Sequence, residues 1–165
     1  MSTAARSDRR WARSAARLFA TQALFQMEAA DADLDAVREE FETHRIGADL
    51  DGVALPDADI DHFRMLLTEA VNRQARIDQL TDHALKDTWP IARIDPTLRA
   101  LFRAAGAELV ASDTPPRVTI TEFVEVARDF FPEGREASFV NGVLDHMARA
   151  AQPAAFVPAP PEDER

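Results

Sequence analysis

The chain has 165 residues, 46% of them hydrophobic and 29% charged, which suits one soluble domain or two small subdomains sharing a core. It contains no cysteine, so disulfides, thiolate zinc sites and cysteine nucleophiles are excluded, and a reducing cytoplasm fits. The net charge of −10 argues against a nucleic-acid partner only until its distribution is read.

Residues 1–17 carry Arg6, Arg9, Arg10, Arg13 and Arg17 against Asp8, a balance of +4. Residues 28–61 hold twelve acids against Arg38 and Arg45, a balance of −10. That asymmetry predicts a basic arm and a separate acidic surface. The Arg- and Ser-rich start has the composition of an amphipathic organellar transit peptide. The same residues also fit directly onto a core helix: Ala16, Phe19, Ala20, Ala23 and Met27 form one apolar stripe, predicting a helix from about residue 10 to 29 behind a flexible basic segment, 1–8.

A shorter acidic helix follows from Asp33 to about Arg45, with Leu34, Val37 and Phe41 on its apolar face. "GADLDGVALPDAD" reads as a loop, punctuated by Gly47, Gly52 and Pro56. From Asp57 to about Lys86 one long pattern carries Ile60, Phe63, Leu67, Val71, Ile77 and Leu80. Pro90 and Pro96 then mark a break and a subdomain junction, dividing an all-helical domain (9–150) into parts of about 9–88 and 89–150.

Asp95-Pro96 is a strong helix start, because Asp caps free amides and Pro at the first turn has no amide to lose. Leu98, Leu101, Phe102, Ala105 and Leu109 make the face of that helix. "SDTPPR" is a loop, and Val118, Thr121, Phe123, Val124, Ala127 and Phe130 form the next helix, ended by Pro132 and Gly134. A last helix runs from about residue 136 to 150, before a Pro-rich acidic tail, 151–165, that reads as disordered. The chain is therefore predicted all-α, with about six to seven helices in two small packed bundles, and no apolar run is long enough to span a bilayer.

"FVNGVLD" (139–145) poses a conflict, since Asn-Gly between apolar residues signals a β-hairpin. Only Phe139 and Val140 stand upstream as strand formers, whereas Val140, Val143, Leu144 and Met147 recur at helical spacing, so the segment is helical. Phe139, Gly142, His146 and Arg149 share a second face. That face is either a platform for a stacked base or ordinary packing, with Phe139 in the core and Gly142 at a helix crossing.

Four blocks in order resemble the NusB transcription antitermination family. "FVNGVLD" after "TITEFVEVARDF" resembles the family's "INEAVELAK-x-F" followed by "KFVNGVLDK". "ARLFATQALFQME" is similar to "AR-x-x-A-x-QALYQ-x-E", and "DPTLRALFRAAGAELVASDTPPRVTI" to "ERAILRLAAYELLY-x-DIPPKVVI". The resemblance covers about residues 9–150. It implies a helical protein without catalytic activity that binds boxA-type single-stranded RNA. It also implies the small-subunit ribosomal protein NusE, other Nus factors and RNA polymerase as partners, in support of rRNA transcription.

The resemblance carries the basic arm over through Arg13 and Arg17, with Arg9 and Arg10 upstream, and carries Phe139 and Asn141 over as RNA-side residues. Where relatives show a tight triple-arginine run, this chain reads "DRRWARSAAR"; Phe25, Thr121 and Phe123 also depart from the usual Tyr, Asn and Ala. Cationic grooves with aromatic faces suit single-stranded RNA, and Arg6, Arg9, Arg10, Arg13 and Arg17 at spacings of three and four put guanidiniums on adjacent helix faces. The acidic 28–61 segment offers a surface to steer a basic partner. Alternatives are a NusB-like domain of an rRNA methyltransferase, disfavoured because no cofactor motif follows Ala150, and a helical adaptor without RNA contact.

Other chemistry finds no pattern. His44, His62, His83 and His146 are dispersed, and the aspartate runs at 31–35 and 57–61 lack the sixth-position glycine of a calcium loop. No phosphate loop or dinucleotide fingerprint occurs, so no cofactor and no metal are expected.

Overall fold

The structure, a computed structural model, describes residues 2–86 and 89–159. Helix α1 (Thr3–Ala30) is capped by Ser2, whose Oγ accepts from the Ala5 N–H at 3.2 Å. Residues 3–8, expected to be flexible, are its first turns. Its inner stripe of Ala16, Phe19, Ala20, Ala23 and Leu24 is buried. Helix α2 (Leu34–His44) starts at Asp33, which accepts from the Ala36 N–H at 2.9 Å, and buries Val37 and Phe41.

The segment read as a loop contains a hairpin of strands β1 (Asp49–Leu50) and β2 (Val53–Ala54). Asp51 and Gly52 both have positive φ, 54° and 85°, as a type I′ turn requires. Thus an Asp-Gly pair, not the Asn-Gly pair, makes the hairpin. Asn141 and Gly142 lie inside α7 (Glu136–Ala151).

The long pattern from Asp57 is two helices, α3 (Ile60–Asn72) and α4 (Gln74–Leu85), broken at Arg73. Phe63, Leu67 and Ala70 stay in phase with Ile77 and Leu80 across the break, so periodicity does not reveal it. Asp95 caps α5 (Pro96–Ala111) by accepting from the Thr97 N–H at 2.7 Å. This helix is central, packing against α1, α3 and α4 and also against α6 (Pro116–Phe130) and α7.

Helices α1, α2 and α3 pack together on one side of α5, and α4, α6 and α7 on another. Phe41, Phe63, Phe102, Phe123, Leu101 and Leu144 are fully buried in one continuous core. Where α5 crosses α4, Gly106 leaves room for Ile77; a Cβ there would run into the Ile77 side chain. Of the tail, Ala151 ends α7 and Pro153–Phe156 form a 3₁₀ turn, while residues 160–165 lie outside the described residues. No helix among the described residues is long and apolar enough to cross a membrane.

Candidate nucleic-acid interface

The first half of α1 lies against the start of α6, and between them opens a groove of about 670 Å³. Arg6, Arg9, Arg10, Arg13 and Arg17 line it from α1, and Thr114, Pro115, Arg117, Val118 and Thr121 from the α6 side. Leaving out the buried Arg17, five guanidiniums face Asp113 and Glu122, so the groove is cationic. The sequence-predicted arginines are therefore brought together, with one addition. Arg117 was hidden inside "SDTPPR": its place beside α1 depends on helix packing, which no local pattern encodes.

The five α1 arginines are not equivalent. Arg17 is only 3% exposed; its Nη2 lies 2.9 Å and its Nε 3.0 Å from Glu108 Oε1. Glu108 is itself buried and also receives His62 Nε2, at 2.6 Å. Burial pushes the Glu108 carboxyl up, but the His62 hydrogen bond and the Arg17 charge outweigh burial and hold it below its ordinary value of 4.5. Arg17 thus joins α1 to α5 rather than presenting its charge to solvent.

Glu122 on α6 accepts from Ser14 Oγ at 2.8 Å and lies 3.6 Å from Arg17 Nη1 and 3.7 Å from Arg10 Nε. Ser14, inside the departed arginine run, therefore serves the α1–α6 seam. Arg13 lies 3.6 Å from Asp59, and the Asp59 N–H donates to the Ala12 carbonyl at 2.9 Å, fixing the start of α3 beside α1. Arg6, Arg9 and Arg10 are exposed, with their charge available to a ligand. At the groove wall Thr114 is 6% exposed, and its Oγ1 makes no hydrogen bond among the described residues. A buried hydroxyl without a partner is costly.

Phe139 and Asn141 lie elsewhere. Phe139 is half-buried and meets Phe102 edge to face, with ring centroids 6.1 Å apart. Its other side lines a shallow groove with Trp89, Arg93, Ile94 and Leu98. From Phe102, in the middle of α5, to Ser112 at its C-terminal cap, ten residues span about 15 Å of helix. Asn141 and Gly142 are exposed, and nothing lies within 4 Å of where a Gly142 Cβ would stand, so Gly142 is not a helix-crossing contact.

At the other end of α7, Arg149 and Arg117 hold the ring of Phe156 at 4.6 and 5.2 Å from its centroid. This brings the start of the tail to the mouth of the arginine groove.

The NusB family model matches residues 14–149 of the chain. Transcription antitermination protein NusB of Maricaulis maris is 45% identical over 145 residues, covering 87% of this chain and 90% of that one. A solved structure of T. maritima NusB matches with a TM-score of 0.67 at 31% identity, over 87% of this chain and 96% of that one. A chain of the crystal structure of antitermination factors NusB and NusE in complex with dsRNA shares the fold, with a TM-score of 0.64 at 23% identity over 83% of this chain and 96% of that one. By the span of the family model and the identity to its relatives, the chain belongs to the NusB family.

Proposed function

We propose that this chain is a cytoplasmic transcription antitermination factor that binds boxA-type single-stranded RNA together with ribosomal protein NusE, within a complex containing other Nus factors and RNA polymerase. One observation carries the reading: Arg6, Arg9, Arg10, Arg13 and Arg117 converge on a single open groove in a chain that is acidic overall. The kinship with proteins named for transcription antitermination, and a fold shared with a NusB–NusE–dsRNA crystal structure, support RNA and NusE as partners.

The mechanism is assembly rather than catalysis. Guanidiniums in the groove hold phosphates as bidentate forks, displacing counterions from the strand. Phe139 and Asn141, a helix length away on α7, extend the contact to bases further along the strand. Arg17 acts on RNA indirectly, by holding α1 against α5.

The test is RNA binding measured with and without NusE across a salt series. Affinity should fall by ~0.7 log unit per log unit of salt for each phosphate neutralised. Arg9→Ala with Arg117→Ala should weaken binding and flatten that slope without lowering the melting temperature. Binding that is absent, or indifferent to salt and to these arginines, rejects the reading in favour of an adaptor without RNA contact.

A further inference from the structure

Arg6 and Arg10 form a ridge with a groove on each side. On one side is the arginine groove. On the other, α1 and α6 enclose about 700 Å³ lined by Thr3, Ser7, Trp11, Glu125, Val126 and Asp129 as well as by the ridge residues. The two grooves differ in character. The second has three carboxylates, Glu122, Glu125 and Asp129, against the two ridge guanidiniums, so it suits phosphate less than the first.

Its most unusual wall is Trp11, an indole left 71% exposed on an otherwise polar helix face. Opposite it, Asp129 makes no ion pair among the described residues. Burial and the nearby Glu125 both push its carboxyl up, the mark of a carboxylate short of donors. A flat aromatic face, an apolar floor at Val126 and acceptor-only carboxylates describe a place for a neutral ring that offers N–H groups.

We propose that the Trp11 groove is a nucleobase subsite, taking a base that turns over the Arg6–Arg10 ridge while its phosphates stay in the arginine groove. Trp11 stacks on the base. Glu125 is already held by Arg128, so Asp129 accepts from an exocyclic amine, and adenine or cytosine is favoured over uracil, whose carbonyl oxygens would face that carboxylate. The subsite rests on the RNA-binding reading above and adds sequence preference to it.

The chain has two tryptophans, so Trp89→Phe leaves Trp11 as its sole indole. In that background, twelve-nucleotide oligo(A), oligo(C) and oligo(U) are titrated in the presence of NusE. Oligo(A) and oligo(C) should quench Trp11 fluorescence more than oligo(U). Trp11→Ala should weaken their binding by about five- to 150-fold, as loss of one stacked base does. The salt slope should stay unchanged, because no charge is lost, and Trp11→Phe should recover part of the affinity. Asp129→Ala should narrow the gap between oligo(A) and oligo(U).

RNA binding that depends on Arg9 and Arg117 while Trp11→Ala and the indole signal change nothing overturns the subsite alone. Equal quenching by all three oligonucleotides overturns the base preference. No binding by any of them overturns the subsite, and no binding of a boxA-type RNA in the same assay overturns the RNA-binding reading with it.

Discussion

The carboxylate of Glu108, fully buried in α5, is gripped by the guanidinium of Arg17, 91 residues earlier in the chain. Removing one partner of such a pair strands a charge in the core, whereas removing both can be nearly neutral. Arg17→Ala should therefore lower stability by about 3–5 kcal/mol in urea melts. Arg17→Met with Glu108→Leu should recover most of that loss. A single variant as stable as the parent would show that the pair contributes nothing.

The same carboxylate makes stability depend on pH. Its folded value lies below the ordinary 4.5, so as pH falls the unfolded chain takes up the proton first. The contribution is complete above about pH 4.5 and is lost as pH drops through the lower, folded value. Urea midpoints measured from pH 7 to pH 3 should fall below that threshold, and fall less steeply in Glu108→Gln. Equal slopes would place the acid sensitivity elsewhere, for instance at Glu28, whose carboxyl Arg99 and Arg103 also hold down.

Two glycines in helices should respond oppositely to alanine. A Cβ on Gly142 meets open space, so Gly142→Ala should gain about 0.5–1 kcal/mol by removing backbone freedom from the unfolded chain. At Gly106 the new methyl would run into Ile77 where α4 crosses α5, and Gly106→Ala should cost about 1–3 kcal/mol. Thermal melts of the two variants decide it by the direction of the shift. If RNA passes close to Gly142, the stabilised variant will also bind RNA more weakly.

Phe139 and Asn141 separate packing from recognition on one helix. Phe139→Ala should lower the melting temperature, because the half-buried ring packs edge-on against Phe102. Asn141 is exposed, so Asn141→Ala should leave the melting curve in place and act only on RNA affinity. A thermal shift in Asn141→Ala would assign that side chain to the fold instead.

Helix positions were legible where a side chain announces them locally. Asp95-Pro96 caps α5 as its chemistry predicts, and the stripe of Ala16, Phe19, Ala20 and Ala23 faces the core. The break at Arg73 was not legible, because no glycine or proline marks it and the apolar phase runs straight through. The β-hairpin was missed although Asp51-Gly52 carries a turn signal, because two strands of two residues leave almost no alternation to read.

The arginine cluster was legible as composition, but the separate duties of its members were not. Arg13 and Arg17 are four residues apart on one helix; one remains half-exposed, and the other is sealed against a glutamate from a distant helix. Arg117 and Thr114 enter the groove only because α6 begins beside α1, a fact of tertiary packing.

Phe156 has a practical consequence for anyone handling the protein. With Phe156 clasped between Arg117 and Arg149, a purification tag or fluorophore fused directly after it would leave from the rim of the arginine groove. A polyhistidine or strongly charged tag placed there would sit within reach of the proposed RNA path. Binding constants from C-terminally tagged material should thus be compared with those from cleaved protein.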